Sequence, residues 1–335
     1  MINSDNTNST PLLQVKHLSV NFQTATGDEH NVLHDINFTI NKGETLALVG
    51  ESGSGKSVTA LNINRLIASP PARITQGEIL FEGKDLLRAS PAALRKLRGK
   101  DISTVFQEPI TSLHPTYTVG HQLIEILRTH TEVTTEQARE QAVEMLRKVG
   151  IPDPARRMRD YPYKLSGGMC QRVMIAMALA CNPKLLIADE ITTALDVTVQ
   201  AQILELLREL QKNEGIAVLF ITHDLNVVAE VADRVAVMYS GRIVEEAPVT
   251  TIFDNPQHPY TIGLLAASPT LDASTELLPS IRGQIPDPAA RPSGCQFHPR
   301  CPLVIQQCRE QAPTLTALDS RHKVACWRAP LEELR

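Results

Sequence analysis

The sequence predicts an α/β protein in which a phosphate-binding loop joins a buried strand to a helix, with a small cysteine-rich module at the C-terminal end. Three observations carry this: the run Gly50-Glu51-Ser52-Gly53-Ser54-Gly55-Lys56-Ser57, the alternation of strand and helix patterns after it, and four late cysteines behind a proline-rich stretch. The apolar segment Glu44 to Val49 reads as a buried strand entering the loop, and Ser57-Val58-Thr59-Ala60-Leu61 as the first turns of the helix leaving it. Glycines at 50, 53 and 55 let backbone N–H groups converge on an anion without Cβ collisions, and the helix N-terminus adds its dipole. Lys56 would place a positive charge on the outer phosphates, and the Ser57 hydroxyl would ligate Mg²⁺. Residues Gly50 to Val58 are therefore the candidate nucleotide-binding segment. The bland alternative, a glycine-rich turn with an incidental Gly-Lys-Ser, does not account for the order strand, loop, helix.

At 335 residues the chain can bury a substantial core and has room for a main body plus one smaller module. Hydrophobic residues make up 42% of it, the mean hydropathy is −0.11, and the longest apolar run, Val173 to Cys181, falls far short of the ~20 residues a membrane span needs. The start of the chain lacks the basic-then-apolar pattern of a secretory signal, so a solvated tail over residues 1–12 and a cytoplasmic default are expected. A net charge of −4 without any long Lys/Arg block gives no electrostatic case for a nucleic-acid partner.

Alternating patterns over Leu13–Phe22, Leu33–Ile40 and Glu78–Phe81 predict an antiparallel β subdomain around the loop. From Val119 to Leu179 the period becomes helical, with Thr134 and Gln137 placed as a capping box and Gly150 as a stop, so a helical insertion is expected over about 108–183. Strand character returns at Lys184–Ala188, Ile216–Thr222 and Arg234–Tyr239, separated by helical stretches at Thr198–Lys212 and Leu225–Val231, which indicates a parallel core. A turn at Ser240-Gly241 joins Val235–Tyr239 to Arg242–Glu246, read as two edge strands. Beyond Ala247-Pro248 proline becomes frequent, which divides the chain into a nucleotide-binding domain over 13–250 and an extension over 251–335.

A phosphate site needs a second element, an apolar strand ending in a carboxylate that orders Mg²⁺. Leu185-Leu186-Ile187-Ala188-Asp189 supplies it, and Glu190 stands next in the chain, placed to polarise the water that attacks a γ-phosphate. Upstream, Leu165-Ser166-Gly167-Gly168-Met169 opens an apolar helix with an N-terminus suited to an anion. With Ala194-Leu195-Asp196 after Glu190 and His223 after a buried strand, these blocks make the chain resemble the ATP-binding-cassette (ABC) ATPases. The resemblance implies a RecA-like P-loop core with an antiparallel β subdomain and a helical signature subdomain. It further implies that Ser166, Gly167, Gly168 and Met169 press on the ATP held by a partner cassette, that Asp196 belongs to the loop at that junction, and that the chain works as a dimer. Gln107 would sense metal and γ-phosphate, so that Ser57, Gln107 and Asp189 hold Mg²⁺, and His223 would contact the γ-phosphate. Lys56, Gln107, Glu190 and His223 are thus the catalytic candidates. Phe22 stands where the family stacks an aromatic ring on adenine, and a core position for it is an equally good reading.

Further blocks, Phe106 to Pro115, Ile187 to Asp196 and His258-Pro259-Tyr260-Thr261, resemble the ATPase subunits of bacterial dipeptide, oligopeptide and nickel importers. That branch implies a second ATPase subunit, usually a paralogue, two membrane permease subunits, a periplasmic or lipid-anchored binding protein, and a place on the cytoplasmic face of the inner membrane. A soluble cassette ATPase of repair or translation is the alternative, although neither a second cassette nor a long coiled-coil insertion is present; nickel or glutathione are alternative cargoes. Ile191, His114, Cys170 and Ala247 depart from the family pattern. Without a proline at 191, a looser loop toward Asp196 and slower or less coupled turnover are expected.

Cys295, Cys301, Cys308 and Cys326 have irregular, wide gaps. A reducing compartment disfavours disulfides, and zinc sites usually pair cysteines two to four residues apart, so a [4Fe–4S] cluster is favoured over Zn²⁺ and over unligated thiols. The resemblance also admits such a cluster in this tail.

Overall fold

The computed structural model describes residues 10–191, 197–268 and 281–331. The expected tail therefore falls mostly outside the described residues, and Leu12, placed at its end, is buried. The described residues pack as two compact units. One comprises Ile40–Glu44 and Arg88–Phe220, the other Leu13–Thr39, Thr45–Leu87 and the chain from Ile221 onward.

The strands in chain order are β1 (Leu13–Gln23), β2 (Glu29–Ile40), β3 (Thr45–Val49), β4 (Ala72–Phe81), β5 (Lys84–Asp85) and β6 (Ile102–Val105). They continue with β7 (Leu185–Asp189), β8 (Ala217–Thr222), β9 (Arg234–Tyr239), β10 (Arg242–Pro248), β11 (Thr316–Ala317) and β12 (Lys323–Val324). The antiparallel subdomain is present as a sheet of order β2-β1-β4-β5, with β1 and β4 in register from Leu13↔Phe81 to Phe22↔Ala72. Its alternation was readable because one face is apolar and the other wet.

In the same unit the phosphate-loop strand β3 runs parallel to β9, from Leu46↔Arg234 to Val49↔Val237. Every residue of β3 is buried, which is why it reads as an unbroken apolar run. The expectation that β9 and β10 are edge strands is wrong. β9 lies between β3 and β10, and β10 is itself covered by β12, pairing Glu245↔Val324 and Glu246↔Lys323, with β11 beyond it. Two-residue strands in a proline-rich tail carry no periodicity, so no local pattern signals this cover.

The other unit holds neighbours β8, β7 and β6, with β6 and β7 parallel from Ile102↔Leu185 to Val105↔Ala188. Its helices include Val119–His130, Thr135–Lys148 and Gly167–Leu179. The Thr134/Gln137 capping box forms as expected, and Gly150 follows the second of these helices with φ 72°. Leu123, Leu127, Ala138, Ala142 and Leu146 are buried at helical spacing, so the periodicity reported a real core face.

The extension is anchored by a carboxylate rather than by long apolar runs. Glu245 of β10 is fully buried, and its oxygens accept from the N–H groups of Gln257 and His258 at 2.6 and 3.0 Å, while His322 Nε2 lies 2.8 Å away. His258 in turn caps the helix Pro259–Ala266, its Nδ1 accepting from the Tyr260 N–H at 3.0 Å. That bond requires an unprotonated Nδ1. Burial pushes the His258 pKa down to about 4, with the Glu245 charge opposing. Since the unfolded chain takes up this proton from about pH 6.5, the stability contributed is full above that pH and is lost as pH falls toward 4. Urea unfolding at pH 7 and pH 4.5 should show a loss on this account of up to ~3 kcal/mol. His258→Asn, which keeps an acceptor for the Tyr260 N–H, should flatten that dependence; equal slopes in the two proteins would rule His258 out as its source.

Candidate functional site

The loop Gly50–Gly55 leaves β3 and enters the helix Lys56–Ile63. Its shape depends on glycine for two different reasons. Gly50 has φ 153°, and a Cβ there would lie 2.2 Å from the Met238 carbonyl oxygen of β9. Gly53, at φ 81°, faces open space, so only its backbone conformation demands glycine. The Gly241 N–H of the β9–β10 turn donates to the Ser54 carbonyl at 2.8 Å, tying the loop to the neighbouring turn. Lys56 is buried, and its ammonium donates to the carbonyls of Gly50 at 2.8 Å and Glu51 at 3.0 Å. Ser54 is buried with its hydroxyl unpartnered among the described residues. A buried ammonium and an orphaned hydroxyl in a glycine-rich loop that opens a helix suit a polyphosphate.

Ser57 and Val58 are half-buried at the helix start, and Phe22 is half-buried near the end of β1. His223 follows β8 and is exposed; the next residue, Asp224, caps the helix Leu225–Val231 by accepting from the Asn226 N–H at 2.9 Å. These residues all belong to the unit that carries the phosphate loop.

The remaining nucleotide-site candidates among the described residues lie in the other unit. β7 delivers Asp189 buried at its end, and Glu190 turns out of the strand with φ 50°, a left-handed conformation that costs about 1–3 kcal/mol in a residue other than glycine. Gln107 Nε2 donates to Glu190 Oε2 at 2.7 Å, so the structure brings together the two residues expected to manage the γ-phosphate and the attacking water. Ile191 is fully buried, and Gln171 Nε2 donates to its carbonyl. Packing and Gln171 thus restrain position 191, where no proline fixes the backbone. Asp196 lies outside the described residues.

Ser166 is the N-cap of the helix Gly167–Leu179, its hydroxyl accepting from the Met169 N–H at 3.3 Å. It is exposed, and a Cβ at Gly167 would meet nothing within 4 Å. The helix N-terminus is therefore open, while the other end of this segment is sealed by buried Cys170, Gln171 and Val173.

The four late cysteines line one narrow cavity with His258, Phe297 and Trp327. The Cys295 N–H donates to the Cys308 carbonyl at 2.8 Å, and Cys326 Sγ accepts from the Arg328 N–H at 3.4 Å. Burial pushes the Cys295 thiol up to about 11 and also raises Cys301 and Cys326. Among the described residues, no group of three or more His, Cys, Asp and Glu side chains is arranged to hold a metal ion. The convergence of the cysteines is thus observed, and a single-ion site is not.

Residues that sequence reasoning left without a role are Gln171, Tyr260 and Arg300. The last two meet the phosphate loop at Glu51 across more than two hundred positions of chain, and no local pattern encodes such a contact.

A phosphate loop on a parallel strand, a strand-end Asp-Glu pair with a glutamine on the glutamate, and an open Ser-Gly-Gly helix start define a nucleotide-hydrolysing ATPase of the cassette type. Residues 33–193 match the family model described as ABC transporter, and residues 244–308 match the oligopeptide/dipeptide transporter C-terminal region. An AAA-domain model also matches residues 160–229. The oligopeptide transport ATP-binding protein OppD of Bacillus subtilis is 53% identical over 319 residues, covering 95% of this chain and 89% of that protein. A Brucella melitensis protein described for peptide import ATP binding is 51% identical over 329 residues, covering 95% and 97%. Among solved structures, a dimeric ATP-binding cassette in a post-hydrolysis state with ADP and Pi superposes with TM-score 0.65 at 29% identity, over 71% of this chain and 98% of that one. The chain belongs to the ABC transporter ATP-binding family, in the branch that carries the oligopeptide/dipeptide C-terminal region.

The two kinds of glycine predict different penalties. Gly53→Ala should cost about 1–2 kcal/mol from backbone strain alone, whereas Gly50→Ala, which collides with backbone, should cost more and should also weaken nucleotide binding. Thermal unfolding of both variants checks this, and equal losses would contradict the steric account.

Proposed function

We propose that this chain is the ATP-hydrolysing subunit of a bacterial ABC importer of peptides, driving partner membrane permeases that receive cargo from a substrate-binding protein. The observation that carries the reading is the union in one chain of a complete set of cassette motifs with the peptide-transporter extension, at about 50% identity to relatives named for that activity.

In this reading the segment Gly50 to Val58, with Glu51, Ser52, Gly53, Ser54 and Gly55 in it, encloses the ATP phosphates, the Glu51 N–H being kept by Tyr260. Lys56 leaves the carbonyls of Gly50 and Glu51 for the outer phosphates, and Phe22 packs on adenine. Ser57, Gln107 and Asp189 would hold Mg²⁺, whose charge offsets that of the phosphates when it is bound. Glu190, released by Gln107, takes a proton from the attacking water, and His223 contacts the γ-phosphate. Ser166, Gly167, Gly168 and Met169 close on the nucleotide of a second ATPase subunit, a paralogue by the habit of the family, with Asp196 at the junction. The working location is peripheral, on the cytoplasmic face of the inner membrane. Residues 13–250 act as the nucleotide-binding domain, and 251–335 as the extension.

The same reading assigns Cys295, Cys301, Cys308 and Cys326 to a [4Fe–4S] cluster. Support comes from four thiols around one cavity, in a donor set that suits the cluster; a cubane spreads its ligands wider than a single ion does. It would staple a segment poor in apolar runs.

Glu190→Gln in the assembled transporter should cut ATP turnover ~10²–10⁴-fold while retaining bound ATP and a closed dimer; undiminished turnover would remove Glu190 as the base. Anaerobic purification with iron, acid-labile sulfide and zinc assays tests the cluster separately. About four irons and four sulfides per chain are expected, and zinc without sulfide, or neither metal, would reject it.

A further inference from the structure

Glu51 is held by every polar group it has. Its carbonyl accepts from Lys56 Nζ, its N–H donates to Tyr260 Oη at 2.8 Å, and its carboxylate takes a two-point grip from Arg300, with Nη1–Oε2 at 2.6 Å and Nη2–Oε1 at 2.9 Å. Tyr260 and Arg300 both come from the extension, far from the loop in sequence.

Neither partner is free to drift. Tyr260 is fully buried and packs edge-on against Tyr239 at 4.7 Å and obliquely against Phe297 at 5.4 Å between ring centroids. The Arg300 side chain is only 5% exposed. Its guanidinium lies 5.7 Å from the Tyr239 ring centroid, and its remaining donors reach the carbonyls of Ile281, Arg282 and Gly283. A bidentate, charge-assisted pair on so fixed a base sets position as well as charge. It acts one residue from Gly50, where the chain turns out of β3, and on the residue whose carbonyl accepts from Lys56.

We propose that Arg300 and Tyr260 are positioning residues for nucleotide binding, through which the C-terminal extension sets the geometry of the phosphate loop. The extension thereby tunes ATP affinity, in addition to whatever its cysteines do. Cys301 follows Arg300 directly in the chain, so a disturbance of the cysteine-bearing turn reaches the loop by this route. The inference rests on the reading of the loop as the ATP site.

The test titrates a fluorescent ATP analogue into the full-length chain and measures KM and kcat for ATP in the assembled transporter. Arg300→Met and Glu51→Ala should each weaken analogue binding about tenfold, the loss of one charge-assisted contact. Tyr260→Phe should weaken it less, and Arg300→Lys should be intermediate, because an ammonium cannot reproduce the fork. For Arg300→Met the KM should rise while kcat at saturating ATP stays within about twofold. The double variant should bind no more weakly than the worse single one, since both remove the same pair. Glu51→Ala leaves Arg300 its three carbonyl partners, so it reports even where Arg300→Met fails to fold. Affinity within twofold of the unaltered chain for Glu51→Ala, or losses that add in the double variant, would overturn the proposal. Absence of analogue binding to the unaltered chain would instead reject the ATP reading itself.

Discussion

A loop that binds polyphosphate through its backbone has to keep amides available for the anion, so bonds within it, such as those of Lys56 to the Gly50 and Glu51 carbonyls, hold its shape only in part. The rest has to come from behind. Here β3 and β9 run in fixed parallel register, which places the Met238 carbonyl against Gly50, and the β9–β10 turn ties Ser54 through the Gly241 N–H. Extension residues complete the support at Glu51. The apolar core under this frame is continuous: Ala47 and Val49 of β3 and Val235 and Val237 of β9 share one buried cluster with Tyr260 and Phe297 of the extension. The loop is as rigid as that cluster makes it.

The groups assigned to hydrolysis obey a different economy. Glu190 occupies a left-handed backbone conformation that a glutamate does not choose unaided, and Gln107 and Gln171 fasten the residues at that corner. Strain of this size persists only where neighbours over-determine it, as they do at sites that need a side chain aimed rather than relaxed. Fully buried Ile191 supplies some of that restraint by packing, at a position where fixed backbone torsion would be another route to the same end.

The extension shows how a segment with few apolar runs still folds. It takes its order from groups the preceding domain offers: the buried Glu245 carboxylate, which receives two N–H groups and faces His322, and the free side of β10, which receives β12. A carboxylate with no solvent needs all of these partners. The extension therefore depends on β10 for its fold, and β10 depends on the extension to keep Glu245 satisfied.

The residue pattern by itself determined the phosphate loop, the antiparallel subdomain, the parallel strands, the capped helical insertion and the identity of the candidate catalytic groups. Each of these is written in short windows, as glycine placement, as period 2 or 3.6, or as a motif at a strand end, and local sterics enforce it. Only the tertiary structure decided that β9 and β10 are interior strands, that Gln107 grips Glu190, that the late cysteines share one cavity, and that Arg300 and Tyr260 hold Glu51. Those contacts join residues tens to hundreds of positions apart. A pairing of that kind has no periodicity in the chain and exists only after the hydrophobic core has brought the two segments together.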